Sequence, residues 1–225
     1  MHHYTQLLRA AVTASLMLAA IAGASVAGPL EDGEAAFKRG DYATALRLWR
    51  PLANQGDARA QYYLGAIYAN GQGMPQDHAE ALKWFRLGAN QGDARAQYYL
   101  GATYANAEAL KWFRLAAEQG DARAQYYLGA MYANGQGVPQ DHAEASKWFR
   151  LAADQGDARA QYNLGAMYAN GQGVPQDLVL AHMWFNLSAA GGYPEQVRDE
   201  IAGHMTPAQI AEAQRLAREW LSIFR

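Results

Sequence analysis

The chain has 225 residues and a formal net charge of -2, with 18% charged and 51% hydrophobic residues. So balanced a charge offers no electrostatic footprint for a phosphate backbone, which argues against nucleic acid as a partner; the apolar content is too high for a disordered chain. Cysteine is absent, which excludes disulfides, thiolate catalysis and Cys-ligated zinc.

Residues 1–27 read as an export leader. Met1 to Arg9 is short and weakly basic, Ala10 to Gly23 is uncharged and apolar, and Ser25-Val26-Ala27 places small residues where a signal peptidase cuts, before Gly28. The apolar run has 14 residues, short of the roughly 20 that a membrane-spanning helix needs. The alternative is an uncleaved interfacial anchor. No later stretch is long and apolar enough to span a bilayer, so no stable membrane insertion is expected once the leader is gone.

Residues 28–55 are predicted to be an N-terminal cap and half repeat, with helices over Glu31–Arg39 and Asp41–Asn54, the second kinked at Pro51. Asp41, Ala45, Leu46 and Ala53 align with Asp77, Ala81, Leu82 and Ala89 further on.

Residues 56–190 form a tandem array. The opening Gly-Asp-Ala-Arg-Ala-Gln-Tyr at Gly56 returns at Gly92, Gly120 and Gly156. Units 56–91 and 120–155 each have 36 residues and agree at 31 of them. A period of that length, without strand-like alternation, means stacked helical hairpins. Within a unit, Asp57 caps the first helix, and Ala60, Leu64 and Tyr68 mark its buried stripe. Gly65 costs a helix up to about 1 kcal/mol, so its recurrence predicts close helix approach. Asn70 to Gln76 is a breaker-rich loop. Asp77 then caps the second helix, with Glu80 three residues on completing a capping box, and Ala81, Trp84, Phe85 and Gly88-Ala89 form its apolar face.

The third unit, Gly92 to Gln119, lacks the eight residues that correspond to Gly71–His78. The expected consequence is one continuous helix from about Ala94 to Glu118, splaying the array into two lobes. The alternative is a cramped hairpin held by packing. Residues 191–225 are predicted to be capping helices: Thr206-Pro207-Ala208-Gln209 reads as a helix start. Ile210, Ala213, Leu216, Ala217, Trp220 and Leu221 then recur at helical spacing and close the core.

The search for chemistry yields no catalytic, cofactor-binding or metal-binding residues. Ser146, Ser188 and Ser222 begin no S-x-x-K, and G-x-S-x-G, G-x-x-x-x-G-K and H-E-x-x-H are absent. The Gly-Gln-Gly loops follow helices and are read as turns. His78 and His142 sit in separate units at exposed helix starts; His182 and His204 carry no motif. Asp77/Glu80 and Asp141/Glu144 have the spacing of capping boxes, not of a glycosidase pair. Asn186-Leu187-Ser188 matches a glycosylation acceptor by chance, beside Trp184 in a helix.

Trp84, Trp112, Trp148 and Trp184 recur once per second helix and are read as core. Tyr63, Tyr99 and Tyr127 differ, because the next copy holds Asn163, a change that points to an exposed position or to degeneracy of the last repeat. With Arg59, Arg95, Arg123 and Arg159 nearby, these residues define a candidate partner-binding groove, since Tyr and Arg are enriched at binding hot spots. The alternative is simple solvation of that helix face.

The pattern A-x-A-Q-Y-x-L-G-x-x-Y-x-x-G-x-G-V-P-x-D-x-x-x-A-x-x-W-x-x-x-A-A, carried by unit 120–155, resembles the Sel-one-like repeat, a relative of the tetratricopeptide repeat. The resemblance covers residues 40 to 190. It implies an all-α, right-handed α-solenoid of helix-turn-helix repeats acting as a scaffold or adaptor. Some cysteine-rich secreted relatives are associated with β-lactam binding or hydrolysis, but this chain lacks their cysteine pairs. The expectation is therefore a non-catalytic, exported scaffold without cofactor that binds a protein or peptide. Leader and resemblance together imply the bacterial periplasm. The alternative is a cell-envelope enzyme or binder acting on β-lactam or peptidoglycan fragments; an assembly factor with low-affinity contacts is a third class.

Overall fold

The computed structural model describes residues 28–223; the leader read at 1–27 lies outside them. Twelve helices and no strand occur among the described residues. Five hairpins follow one another: α1 (Pro29–Lys38) with α2 (Tyr42–Asn54), α3 (Ala58–Asn70) with α4 (His78–Asn90), α5 (Ala94–Thr103) with α6 (Asn106–Glu118), α7 (Ala122–Asn134) with α8 (His142–Asp154), and α9 (Ala158–Asn170) with α10 (Leu178–Ala190). From α1 to α10 each helix packs on its neighbours in sequence, giving an α-solenoid closed by α11 (Gln196–Ala202) and α12 (Pro207–Ile223), both of which pack on α10. The N-terminal segment is a full hairpin rather than a half repeat, and α2 continues through Pro51.

The helix starts follow the sequence. Asp57 accepts from Ala60 N–H at 2.8 Å and Asp77 from Glu80 N–H at 2.9 Å. The capping box at Asp77 is only half closed, however. Its backbone N–H donates to Tyr68 O at 3.0 Å, while Glu80 accepts from Lys83 at 2.8 Å. The loop folds back on its own first helix and takes the donor that Glu80 would have satisfied. At Thr206 both arms form: Thr206 N–H donates to Gln209 Oε1 at 2.8 Å, and Gln209 N–H to Thr206 Oγ1 at 3.3 Å.

The expected continuous helix over 94–118 does not form. Thr103 ends α5, Tyr104 and Ala105 are extended, and α6 starts without a side-chain cap. A lost cap costs about 1 kcal/mol. A continuous helix would instead expose Trp112, Phe113, Ala116 and Ala117, all buried here, and a buried aromatic alone is worth about 1.5–3 kcal/mol. Packing therefore decides for the hairpin.

One device joins the hairpins. A Cβ added to Gly65 in α3 would stand 2.7 Å from the Phe85 ring of α4, and one on Gly101 in α5 would stand 2.7 Å from Phe113 of α6. The far side of each ring stacks on a tyrosine of the next hairpin: Phe85 on Tyr99 at 4.7 Å and Phe113 on Tyr127 at 5.1 Å. Gly33, Trp49 and Tyr63 repeat the sandwich at the N-terminus, with Trp49 on Tyr63 at 4.2 Å. Gly129 and Phe149 begin a fourth, but Asn163 stands where the tyrosine would be and donates to Arg159 O at 2.9 Å. The recurrent helix glycine thus makes the close approach that the sequence predicts.

A second thread is polar. Gln61, Gln97, Gln125 and Gln161 are buried and donate to Ala53, Ala89, Ala117 and Ala153 carbonyls of the preceding helix at 3.0–3.1 Å. Gln91, Gln119 and Gln155 donate in turn to the first three of these glutamines at 2.7–2.8 Å. Buried amides need such partners, and here they tie each hairpin to the one before.

The last hairpin is built for its cap. Met183 and Leu187 are buried with Ala213 and Ala217 of α12, whereas their counterparts Lys147 and Leu151 in α8 are exposed. His182 lies buried in this region, its Nδ1 without a hydrogen-bond partner among the described residues. Burial, with the Arg198 charge adding to it against the opposing pull of Asp199, holds its pKa below the ordinary 6.5. A depressed histidine binds its proton more readily when unfolded. Stability is therefore complete above about pH 6.5 and falls as pH drops through that value towards the lower folded pKa. Urea unfolding between pH 7.5 and pH 5 should show this loss, and His182→Leu should flatten it; an equally steep loss in the variant would move the cause elsewhere.

Candidate functional site

Tyr63, Tyr99 and Tyr127 are half-buried, each stacked on a ring of the preceding second helix. Of the two readings, the exposed position is corrected and degeneracy of the last repeat is left: these tyrosines are the outer leaves of the inter-hairpin sandwiches. The arginines behave differently. Arg95 lies with its guanidinium carbon 4.2 Å from the Tyr62 ring centre, Arg123 likewise 4.2 Å from Tyr98, and Arg159 4.3 Å from Tyr126. Each arginine thus covers a tyrosine of the preceding first helix, and its side chain remains 30–38% exposed.

Each guanidinium is also held by the carboxylate that caps its own helix: Asp93 at 2.8 Å, Asp121 at 2.8 Å and Asp157 at 2.6 Å. Arg95 further donates to the Tyr63 hydroxyl at 3.2 Å. Arg59, at the start of the row, pairs instead with Glu34 of α1 at 2.5 Å. The row ends at Tyr162, whose ring faces that of Tyr193 at 5.1 Å instead of a guanidinium. Burial pushes the Tyr62 hydroxyl up to about 12 and raises Tyr98 and Tyr126 as well, so all three remain donors at neutral pH.

A ladder of tyrosine rings and arginine planes therefore runs along the first helices, with Tyr62, Tyr98 and Tyr126 half-buried against the core beneath the arginines. Tyr62, Tyr98, Tyr126 and Tyr162 escaped the sequence reading. The signal available was their presence in all four copies, beside a position that drifts to Asn163. A second row lies near the second helices, where Arg50 and Arg114 donate to the hydroxyls of Tyr68 and Tyr132 at 3.1 and 2.6 Å, and Arg86 bonds Tyr104. Tyr68, Tyr104, Tyr132 and Tyr168 are accordingly half-buried rather than core. Of the recurrent tryptophans, Trp112 and Trp184 are buried and Trp84 and Trp148 half-buried.

The remaining flagged residues do not converge. His78 is exposed, His142 half-buried, and Ser188 is buried with its hydroxyl bonded to Phe185 O at 2.9 Å. Asn186 accepts from Arg198 at 3.4 Å within α10. Among the described residues no group of three or more His, Asp or Glu is placed to hold a metal ion, and no helix is long and apolar enough to cross a membrane.

Fold and surface together define a repeat protein that presents a periodic face. The Sel1 repeat family model matches residues 27–57, 58–93, 105–121, 122–157 and 158–193, and the chain belongs to that family. The unmatched stretch 94–104 coincides with α5 of the shortened unit. A protective antigen of uropathogenic Escherichia coli with an SLR fold is similar at 33% identity over 90% of this chain and 46% of its own, with a TM-score of 0.78. A Sel1 repeat protein from Oxalobacter formigenes is similar at 36% identity over 72% of this chain and 49% of its own, with a TM-score of 0.63. The chain thus spans about half the length of either. An immunity protein of Pseudomonas aeruginosa, at 19% identity over 86% of this chain and 81% of its own and a TM-score of 0.52, shares the fold. No curated protein matches the chain. Sel1 repeat proteins in general act as protein-interaction scaffolds.

Proposed function

We propose that this protein is an exported, non-catalytic scaffold that binds an extended segment of a protein partner along the first-helix ladder. The observation that carries the reading is the Tyr/Arg pair repeated at three successive junctions, Tyr62/Arg95, Tyr98/Arg123 and Tyr126/Arg159. Aromatic rings and guanidinium planes held rigid on helices lose little entropy on binding, and they are the side chains that dominate interface energies. Because Asp93, Asp121 and Asp157 already neutralise the arginines, recognition rests on stacking and hydrogen bonding rather than on charge. Export is supported by the composition of residues 1–27 and places the partner in the bacterial envelope.

A photo-crosslinker at Tyr98 should capture a discrete envelope partner, and one at Lys147 should not. Once that partner is purified, Tyr62→Ala/Tyr98→Ala/Tyr126→Ala should weaken binding at least about a hundredfold, since each hot-spot loss above 1.4 kcal/mol is tenfold. Equal affinity of the triple variant would remove the ladder from the interface.

A further inference from the structure

The loop between the two helices of a hairpin also has a task at the junction with the hairpin before it. Gly73 lies against Tyr42 at the start of α2, where a Cβ would stand 2.8 Å from that of Tyr42, and Gln72 donates to the Tyr42 hydroxyl at 3.3 Å. The next residue, Met74, packs against the core cluster that contains Trp49 and Ile67. In the last hairpin Gly173 lies against the backbone carbonyl of His142 at the start of α8, and Val174 packs against the core cluster that contains Phe149 and Met167. A Gly-Gln-Gly-(Met/Val)-Pro turn thus closes the preceding junction like a plug.

The third hairpin has no such turn, since only Tyr104 and Ala105 separate α5 from α6. The uncovered helix start is that of α4. His78, the counterpart of Tyr42 and His142, is exposed where those two are half-buried. The loss is compounded by Thr103, exposed where Ile67, Met131 and Met167 of the other hairpins are buried. An open cavity of about 250 Å³ results, lined by Ala69, His78, Leu82, Phe85, Tyr99 and Thr103. On the other side of the α5–α6 hairpin, a cavity of about 320 Å³ retains Gln136 of its loop in the wall.

We infer that the cavity beside His78 binds a partner segment with the chemistry of the missing plug: a glycine turn followed by a medium-sized apolar residue and proline. The molecule shows twice what fits this kind of junction. The second glycine is required because a Cβ there meets the helix start. The apolar side chain fills the space between Phe85 and Thr103, and proline restrains the turn so that little entropy is lost on binding. The turns carrying Met74 and Val174 are already seated in their own junctions, and the turn at Gly135 to Pro139 belongs to the α5–α6 side, where Gln136 lines the wall, so the occupant is a segment of another protein molecule. This site does not depend on the Tyr/Arg ladder.

The probe is the synthetic peptide Gly-Gln-Gly-Val-Pro-Gln-Asp, added to the protein while the His78 ring resonances are followed by NMR. A saturable shift of His78 is expected. It should vanish when the peptide valine is replaced by serine or its second glycine by alanine. Thr103→Met should abolish it on the protein side by filling the cavity as Met131 and Met167 fill theirs, with an unchanged or raised Tm showing that the variant is folded. No saturable shift with the parent peptide would overturn the proposal. So would equal shifts with the serine peptide or with T103M.

Discussion

Phe113→Ala should be among the most damaging single substitutions in this chain, costing about 3–5 kcal/mol. Phe113 is 5% exposed and fills the space between Gly101 of its own hairpin and Tyr127 of the next, with rings 5.1 Å apart and nearly parallel. Its removal opens a cavity flanked by a glycine, which has no side chain to move in. It also strips the support from Tyr127 at the junction with the next hairpin. For a domain of this size a loss of 1 kcal/mol lowers Tm by roughly 2–4 °C, so a fall of about 6–20 °C is expected in thermal melts. A fall below about 2 °C would mean that the sandwich is not a continuous part of the core.

Gly173→Ala should cost about 2–5 kcal/mol, whereas Gly156→Ala should cost only about 1–2 kcal/mol. Both glycines have positive φ, +70° and +85°, and a left-handed backbone penalises any side chain by about 1–2 kcal/mol. They differ in surroundings. Nothing lies within 4 Å of a Cβ on Gly156, while one on Gly173 runs into the His142 carbonyl group and the Ala143 nitrogen. Backbone cannot rotate away as a flexible side chain can, so the plug carrying Val174 must lift, adding about 1–3 kcal/mol. Urea unfolding of the two variants side by side measures the difference. Equal losses would show that the loop does not clamp the start of α8.

That pair of glycines also marks how far the sequence reaches. Gly65, Gly101, Gly129 and Gly165 occur mid-helix at a cost of about 1 kcal/mol each, and a repeated local penalty has to be offset by packing. Their close approach to a second-helix ring could be predicted for that reason, and so could the Asp caps and the breaker loops. Which tyrosine of each pair receives the arginine could not. In a Tyr-Tyr pair the two side chains differ by about 100° around the helix, and only the packing of neighbouring hairpins decides which one stacks on the preceding ring and which one receives the arginine. Tyr63, Tyr99 and Tyr127 turn to the rings of the preceding helix; Tyr62, Tyr98 and Tyr126 receive the arginines.

The sequence by itself determines the period, the Asp-capped helix starts, the cap at α12 and the family, because these follow from short-range rules repeated in nearly identical copies. The tertiary structure alone decides three things. It keeps the third unit folded as a hairpin, since burying Trp112 and Phe113 outweighs an absent cap. It selects the Tyr/Arg ladder, since contacts between hairpins set side-chain direction. It also opens the cavity beside His78, because a loop missing from one hairpin leaves its space in the hairpin before it, more than twenty residues away along the chain.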